Sequence, residues 1–61
     1  MHLLRRIETY LSRSATSPAR FGRQAMRDPR FVFDLRNGRE PRPATVRRVT
    51  DWLARAEAAG E

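Results

Sequence analysis

The four prolines of this chain divide it into short segments and so restrict it to short helices. Two of the prolines follow a good capping residue, in Ser17-Pro18 and in Asp28-Pro29. A serine or aspartate side chain accepts hydrogen bonds from the free amides of a first helical turn, and proline suits the first helical position. The other two stand in Glu40-Pro41-Arg42-Pro43, which cannot be helical and is interpreted as a short extended linker.

Apolar residues recur at helical spacing in the segments between these prolines. From Leu3 to Ser12 they lie three and four positions apart, which predicts one stripe of an amphipathic helix. Three further helices are predicted at Pro18 to Met26, at Asp28-Pro29 to about Asn37, and at about Pro43 to Ala59. We expect Gly38 and Gly60 to end the last two of these. The side chains expected to face the core in the first, second and fourth helices are Leu3, Leu4, Ile7, Tyr10, Leu11, Phe21, Ala25, Met26, Val46, Val49, Trp52, Leu53 and Ala56.

Residues 31–38 also allow a β-hairpin. Their apolar residues alternate, and Asn37-Gly38 is a strong hairpin-turn dipeptide. A second strand would have to contain Pro41 and Pro43, which remove backbone donors, and it would have no apolar partner. Helix is therefore the preferred interpretation. The fold class that follows is all-α, a compact four-helix domain with a central helix-turn-helix.

The length and residue types limit the function further. The 61 residues suffice for a single domain, 1–61, which buries only about 60% of the surface of its unfolded chain. There is no cysteine, His2 is the one histidine, and no apolar run approaches the ~18 residues of a membrane span. The acids and serines are scattered, and there is neither a base to activate a serine nor a group to orient a nucleophile. We therefore expect a cytoplasmic protein that is not an enzyme and needs no metal, cofactor or small-molecule substrate.

The charge of the chain is basic and unevenly placed. All thirteen basic residues are arginine, against seven acids, for a net charge of +6. A GC-rich coding sequence and selection for guanidinium chemistry explain the absence of lysine equally well. Residues 1–27 hold six of the arginines and one acid, whereas residues 43–61 are balanced. Arginine matches phosphate oxygens and the guanine edge with two parallel hydrogen bonds, so the first two thirds should attract polyanions.

A helix-turn-helix pattern spans Pro18 to Asn37. Gly22, in the middle of its first helix, costs about 1 kcal/mol relative to alanine, which predicts close approach of another helix there. The loop Asn37-Gly38-Arg39 and a further amphipathic helix follow the pattern. Its fourth, fifth, eighth, fifteenth and eighteenth places hold Phe21, Gly22, Ala25, Val32 and Leu35.

On these residues the chain resembles the lambda-repressor-like family of phage repressors, Cro proteins and their XRE-type bacterial relatives. The resemblance covers nearly the whole chain. It departs from the family at the turn, where Met26 and Arg27 replace a usual glycine and aliphatic residue, and at the first place, where Pro18 replaces a frequent glutamine.

The resemblance implies a sequence-specific transcriptional regulator, associated with the nucleoid, that reads double-stranded DNA with its third helix. Arg30, Phe33 and Asp34 would then lie at base edges. Arg30 would bind guanine, Phe33 would pack on a thymine methyl, and Asp34 would either accept from cytosine N4 or pair with Arg30. Phosphate contacts are expected from Ser17, Arg20, Arg36, Asn37, Arg39 and Arg42. The arginines expected to be plain surface charges are Arg5, Arg6, Arg47, Arg48 and Arg55.

Two alternatives remain from the residues alone. The aromatic run Phe31-Val32-Phe33 also suits a protein-interaction module, such as an antitoxin or a phage or bacterial accessory factor built on the same scaffold. The basic charge would serve RNA as well, although RNA-binding proteins more usually display stacking aromatics. On DNA, we expect a homodimer on an inverted repeat whose half-sites lie ~34 Å apart.

Overall fold

The helices form in the order that the prolines predict. The computed structural model describes residues 3–59. No strand occurs in that range, and the helices are α1 (Leu3–Ser14), α2 (Pro18–Met26), α3 (Phe31–Arg36) and α4 (Pro43–Ala58). The all-α prediction is confirmed, and the hairpin alternative for residues 31–38 is wrong. His2 and Gly60 lie outside the described residues. Within them, no helix has the length and apolar character that a membrane crossing requires.

Both cap-plus-proline sites make a capping bond. Ser17 is the N-cap of α2, and its Oγ accepts a hydrogen bond from the backbone N–H of Arg20 at 3.2 Å, as predicted. Asp28 also accepts on its Oδ1, from the N–H of Arg30 at 3.0 Å, and its carbonyl accepts from the N–H of Phe31 at 3.1 Å. Pro29 and Arg30 form a turn, however, so α3 itself begins at Phe31 rather than directly after Asp28.

Gly38 ends α3 as predicted. Its φ is +94°, and the reversal lets the N–H of Arg39 reach the carbonyl of Asp34 at 3.0 Å. A second bond, from the N–H of Gly38 to the carbonyl of Leu35 at 3.1 Å, completes a Schellman cap.

The first helix runs two residues past the predicted end at Ser12. Ser14 stays helical, and its Oγ lies 2.7 Å from the carbonyl of Tyr10. Ala15 then takes a left-handed conformation, φ 55°, which lets the N–H of Thr16 donate to a carbonyl in the last turn. The first residues of the polar stretch after Ser12 therefore form the end of α1 rather than lying outside it.

One apolar core joins all four helices. Partly buried side chains surround it, namely Leu3, Leu4, Met26, Trp52 and Ala56. Burying an aliphatic or aromatic side chain fully is worth about 1.5–3 kcal/mol, so these contacts hold the helices together. The core residues are Ile7, Tyr10, Leu11, Phe21, Ala25, Phe31, Val32, Leu35, Val49 and Leu53.

Three aromatic rings tie α1, α2 and α4 together at one side of this core. The centroid of Trp52 lies 5.5 Å from that of Tyr10 and 5.2 Å from that of Phe21, both with edge-on geometry. The rings of Tyr10 and Phe21 are 5.9 Å apart. Edge-to-face pairs at these distances are favourable beyond the area they bury. Trp52, predicted to be core, is half-buried and packs against the core from its rim.

Candidate nucleic-acid interface

Gly22 fixes how the turn between α2 and α3 folds back. The N–H of Asp28 donates to the carbonyl of Gly22 at 3.0 Å. A Cβ on Gly22 would collide with the carbonyl oxygen of Asp28 and would lie 3.4 Å from Cα of Pro29. The close approach predicted from this glycine is therefore real, but what approaches is the backbone of the turn rather than a second helix.

The short helix α3 has an inner and an outer face. Phe31, Val32 and Leu35 are buried, with exposed fractions of 8%, 0% and 8%. Phe33 points the other way, is 43% exposed, and is the one exposed large apolar side chain among residues 3–59. Arg30, which directly precedes the helix, is also exposed. The core thus anchors one side of α3 and leaves the opposite side to solvent.

Asp34 does not form the pair with Arg30 that the four-residue spacing suggests. Its carboxylate accepts from Nη1 of Arg39 at 3.1 Å. The Schellman cap of α3 causes this, because it returns Arg39 to the last turn of the helix. Arg30 lies before the first helical residue, and its guanidinium has no ion-pair partner within residues 3–59.

Arg36, predicted to contact phosphate, is held by α1. Its Nε and Nη2 donate to the two carboxylate oxygens of Glu8 at 2.7 and 2.8 Å. The same guanidinium lies 5.7 Å from the ring centroid of Phe33. The hydrogen bonds from Arg36 lower the pKa of Glu8, and those bonds raise the pKa of Arg36. Arg36 therefore links α1 to the exposed ring, and two of its five N–H donors are already used by Glu8.

The remaining predicted phosphate ligands lie at helix ends. Ser17 caps α2, Asn37 caps the end of α3, and Arg42 precedes α4 with an extended backbone. Arg20, Asn37 and Arg42 are exposed. The hydroxyl of Ser17 accepts a bond from Arg20 and keeps its own hydrogen to donate.

Two arginines that were not predicted as ligands resemble these residues in exposure. Arg23 and Arg27 are exposed and make no ion pair within residues 3–59. Arg20 and Arg23, three positions apart, share one side of α2, and Arg27 follows at its C-terminal cap. We call the exposed arginines spaced three or four apart in the sequence, Arg20, Arg23, Arg27 and Arg30, the arginine row. The spacing was visible in the sequence and could have indicated the row.

These positions can be compared with known proteins. No family model, characterised protein or solved structure matches this chain. The resemblance to lambda-repressor-like proteins therefore stays a prediction, and a functional assignment has to depend on the geometry of the described residues.

The exposed arginines and the ring of Phe33 determine which kind of ligand this surface could bind. It combines the arginine row, which has no acidic partner within residues 3–59, with an exposed aromatic ring and a carboxylate that is paired with Arg39. Guanidinium groups bind phosphate oxygens, and the exposed ring offers an apolar surface. These groups suit a nucleic acid, whose phosphates and base edges lie side by side.

Proposed function

We propose that this protein binds double-stranded DNA in a sequence-specific manner, as a transcriptional regulator, through the outer face of α3. The observation that carries the proposal is the division of that helix. Phe31, Val32 and Leu35 anchor it in the core, while Arg30 and Phe33 at its leading end are exposed. Insertion into a DNA groove requires a helix that is packed on the core along one face and exposed to solvent on the opposite face.

The dimensions agree with that use. The six residues of α3 span about 9 Å at the rise of an α-helix. The major groove of B-DNA is about 12 Å wide, so a rod of this length fits across it or along it. The side chains at the leading end would reach base edges first.

We assign three side chains to base contact. Arg30 would donate two hydrogen bonds to guanine O6 and N7, a contact worth about 1–3 kcal/mol of discrimination. Phe33 would pack on the methyl group of thymine. Asp34 would accept from cytosine N4, and its pairing with Arg39 reduces the repulsion that a carboxylate meets among phosphates.

We assign the sugar–phosphate contacts to residues around the outer face of α3. Arg20, Asn37 and Arg42 are exposed, and Ser17 can donate its hydroxyl hydrogen. Arg39 would bind a phosphate oxygen with its remaining N–H donors while it keeps its bond to Asp34. Arg36 would contribute through Glu8 and Phe33, by holding the ring in place, unless DNA displaces the Glu8 carboxylate.

A pair of protomers is the expected binding unit. One domain of this size contacts too few base pairs for useful specificity. The molecule measures 29 × 21 × 21 Å, so two copies fit side by side on half-sites ~34 Å apart.

The protein-interaction alternative loses its main support. It relies on an aromatic run, but Phe31 and Val32 belong to the core, and only Phe33 of the three is exposed. A single exposed ring gives a small apolar patch, which favours the nucleic-acid proposal.

The proposal can be tested by selecting bound sequences from a random duplex library and then titrating wild type and variants by fluorescence anisotropy. The Arg30→Ala variant should lose its preference at one base pair, where the wild type discriminates by about 1–3 kcal/mol. Arg47→Ala is the matched control, because Arg47 is an exposed arginine on α4 that makes no ion pair within residues 3–59. It should keep the preference at every position.

Two outcomes would contradict the proposal. The first is equal affinity for selected and scrambled duplexes with steep salt dependence, which describes nonspecific polyanion binding. The second is tighter binding of RNA of the same sequence.

A further inference from the structure

The backbone of Arg27 has a conformation that its side chain disfavours. Its φ and ψ are 55° and 32°, in the left-handed region, where the Cβ of an L-residue crowds the following carbonyl. Glycine takes this conformation without that crowding. Within residues 3–59, Ala15 is the other non-glycine residue with positive φ, also at 55°.

The turn does not need the arginine side chain. It is closed by backbone bonds alone, from the N–H of Arg27 to the carbonyl of Arg23 at 3.1 Å and from the N–H of Asp28 to the carbonyl of Gly22 at 3.0 Å. The guanidinium of Arg27 makes no hydrogen bond or ion pair in the described part of the chain, and the residue is exposed. Glycine would close the same turn with less strain, so the side chain calls for another explanation.

The surroundings of Arg27 show what such a side chain could bind. It lies in the arginine row, with Arg20 and Arg23 on α2 and Arg30 before α3. Asp28, the neighbouring acid, uses Oδ1 to accept from the backbone N–H of Arg30, and it pairs with no arginine side chain in the described residues. The row therefore keeps its positive charge, which a phosphodiester would neutralise.

We infer that Arg27 is a phosphate-binding residue, held by the strained turn at the edge of the groove that α3 enters. The inference rests on the proposed function, since it names a further ligand of the same site. It also accounts for an arginine at a position where a glycine would make the fold more stable.

Replacing Arg27 by glycine tests the inference. Arg27→Gly should raise the melting temperature, on the order of 4 °C, because the strain is relieved. The same variant should bind duplex DNA about eightfold more weakly at 0.1 M salt. Its plot of log K against log salt should be shallower by about 0.9, the contribution of one neutralised phosphate.

Two matched variants separate charge from backbone effects. Ala15→Gly relieves the same conformation at the end of α1, so it should raise the melting temperature similarly and leave DNA affinity and salt slope unchanged. Arg27→Lys keeps the charge and the strained backbone, and should keep the wild-type salt slope.

The outcomes distinguish this inference from the proposed function. If the wild type binds duplex DNA and Arg27→Gly keeps its affinity and salt slope, Arg27 is no phosphate ligand. Arg27 is likewise no phosphate ligand if Arg27→Lys loses as much slope as Arg27→Gly. If the wild type itself fails to bind duplex DNA at low salt, the proposed function is wrong and this inference falls with it.

Discussion

Gly22 is the residue at which helix propensity and packing oppose each other most directly. On propensity alone, Gly22→Ala should stabilise α2 by about 1 kcal/mol. We predict the reverse, a loss of roughly 3 kcal/mol or more, because the new Cβ would meet the carbonyl of Asp28 and backbone cannot move aside as a flexible side chain can. Urea unfolding followed by far-UV circular dichroism measures the change in the free energy of unfolding.

Gly38→Ala is the comparison for that experiment. No atom lies within 4 Å of a Cβ at this position, so the only cost is the positive φ of 94°. That cost should be about 1–2 kcal/mol. A Gly22→Ala protein as stable as wild type, or more stable than Gly38→Ala, would contradict the close approach.

Single residues also show where prediction from the sequence stops. The positive φ of Gly38 could be predicted, because glycine before a linker is the usual end of a helix. The same conformation at Ala15 and Arg27 could not, because neither side chain prefers it and chain closure alone imposes it. The pairing of Asp34 with Arg39 depends on the turn at Gly38, so spacing within the helix pointed to the wrong partner.

Among the helices, the Glu8–Arg36 pair connects α1 to α3 over 28 positions of sequence. Exposed ion pairs usually add little stability, but two short parallel bonds are the geometry in which the effect becomes measurable. The pKa of Glu8 is lowered by the bonds from Arg36. A carboxylate with a lowered pKa in the folded state stabilises the fold above its unfolded pKa and loses that contribution as pH falls through the folded value.

We therefore predict that Glu8→Gln flattens the acid side of the stability profile. Between about pH 5 and pH 3 the melting temperature of the wild type should fall more steeply than that of the variant. At neutral pH the variant should be the less stable of the two. Glu57→Gln is the control at neutral pH, because Glu57 meets Arg6 through one longer contact of 3.2 Å and should cost less. Parallel pH profiles for wild type and Glu8→Gln would show that the pair contributes nothing.

The helices could be predicted more fully than the contacts between them. Prolines and capping residues located the start of α2 and α4, because those signals act within one helical turn. The start of α3 was placed two residues too early, because Pro29 and Arg30 form a turn before the helix even though Asp28 makes its capping bond. The Glu8–Arg36 pair has no local pattern and could not be predicted from the sequence.

For the whole molecule, apolar spacing predicted the core because the chain has few apolar residues to bury. The buried apolar residues of α1, α2 and α4 lie on the predicted stripes, although Val46, predicted to face the core, is only half-buried. In α3, the buried Val32 and Leu35 hold places of the helix-turn-helix pattern. The candidate site was harder to predict. Exposure of Arg30 and Phe33 followed from the core on the opposite face of α3, whereas the position of Arg27 depends on the turn that follows α2.

For the whole molecule, the net charge of +6 predicts that salt stabilises the fold and weakens DNA binding. Arg6, Arg36 and Arg39 pair with carboxylates, and the other arginines have no such partner within residues 3–59. Repulsion among them destabilises the compact state, and salt near 0.1 M screens charges beyond about 10 Å.

Raising sodium chloride from about 0.05 to 0.5 M should increase the melting temperature of the free protein by on the order of 4 °C. Over the same range the affinity for duplex DNA should fall steeply, since bound counterions are released on binding. Calorimetry and anisotropy on one protein stock measure both effects. A melting temperature that falls with salt would mean that the three ion pairs outweigh the repulsion among the other arginines, and would contradict this prediction.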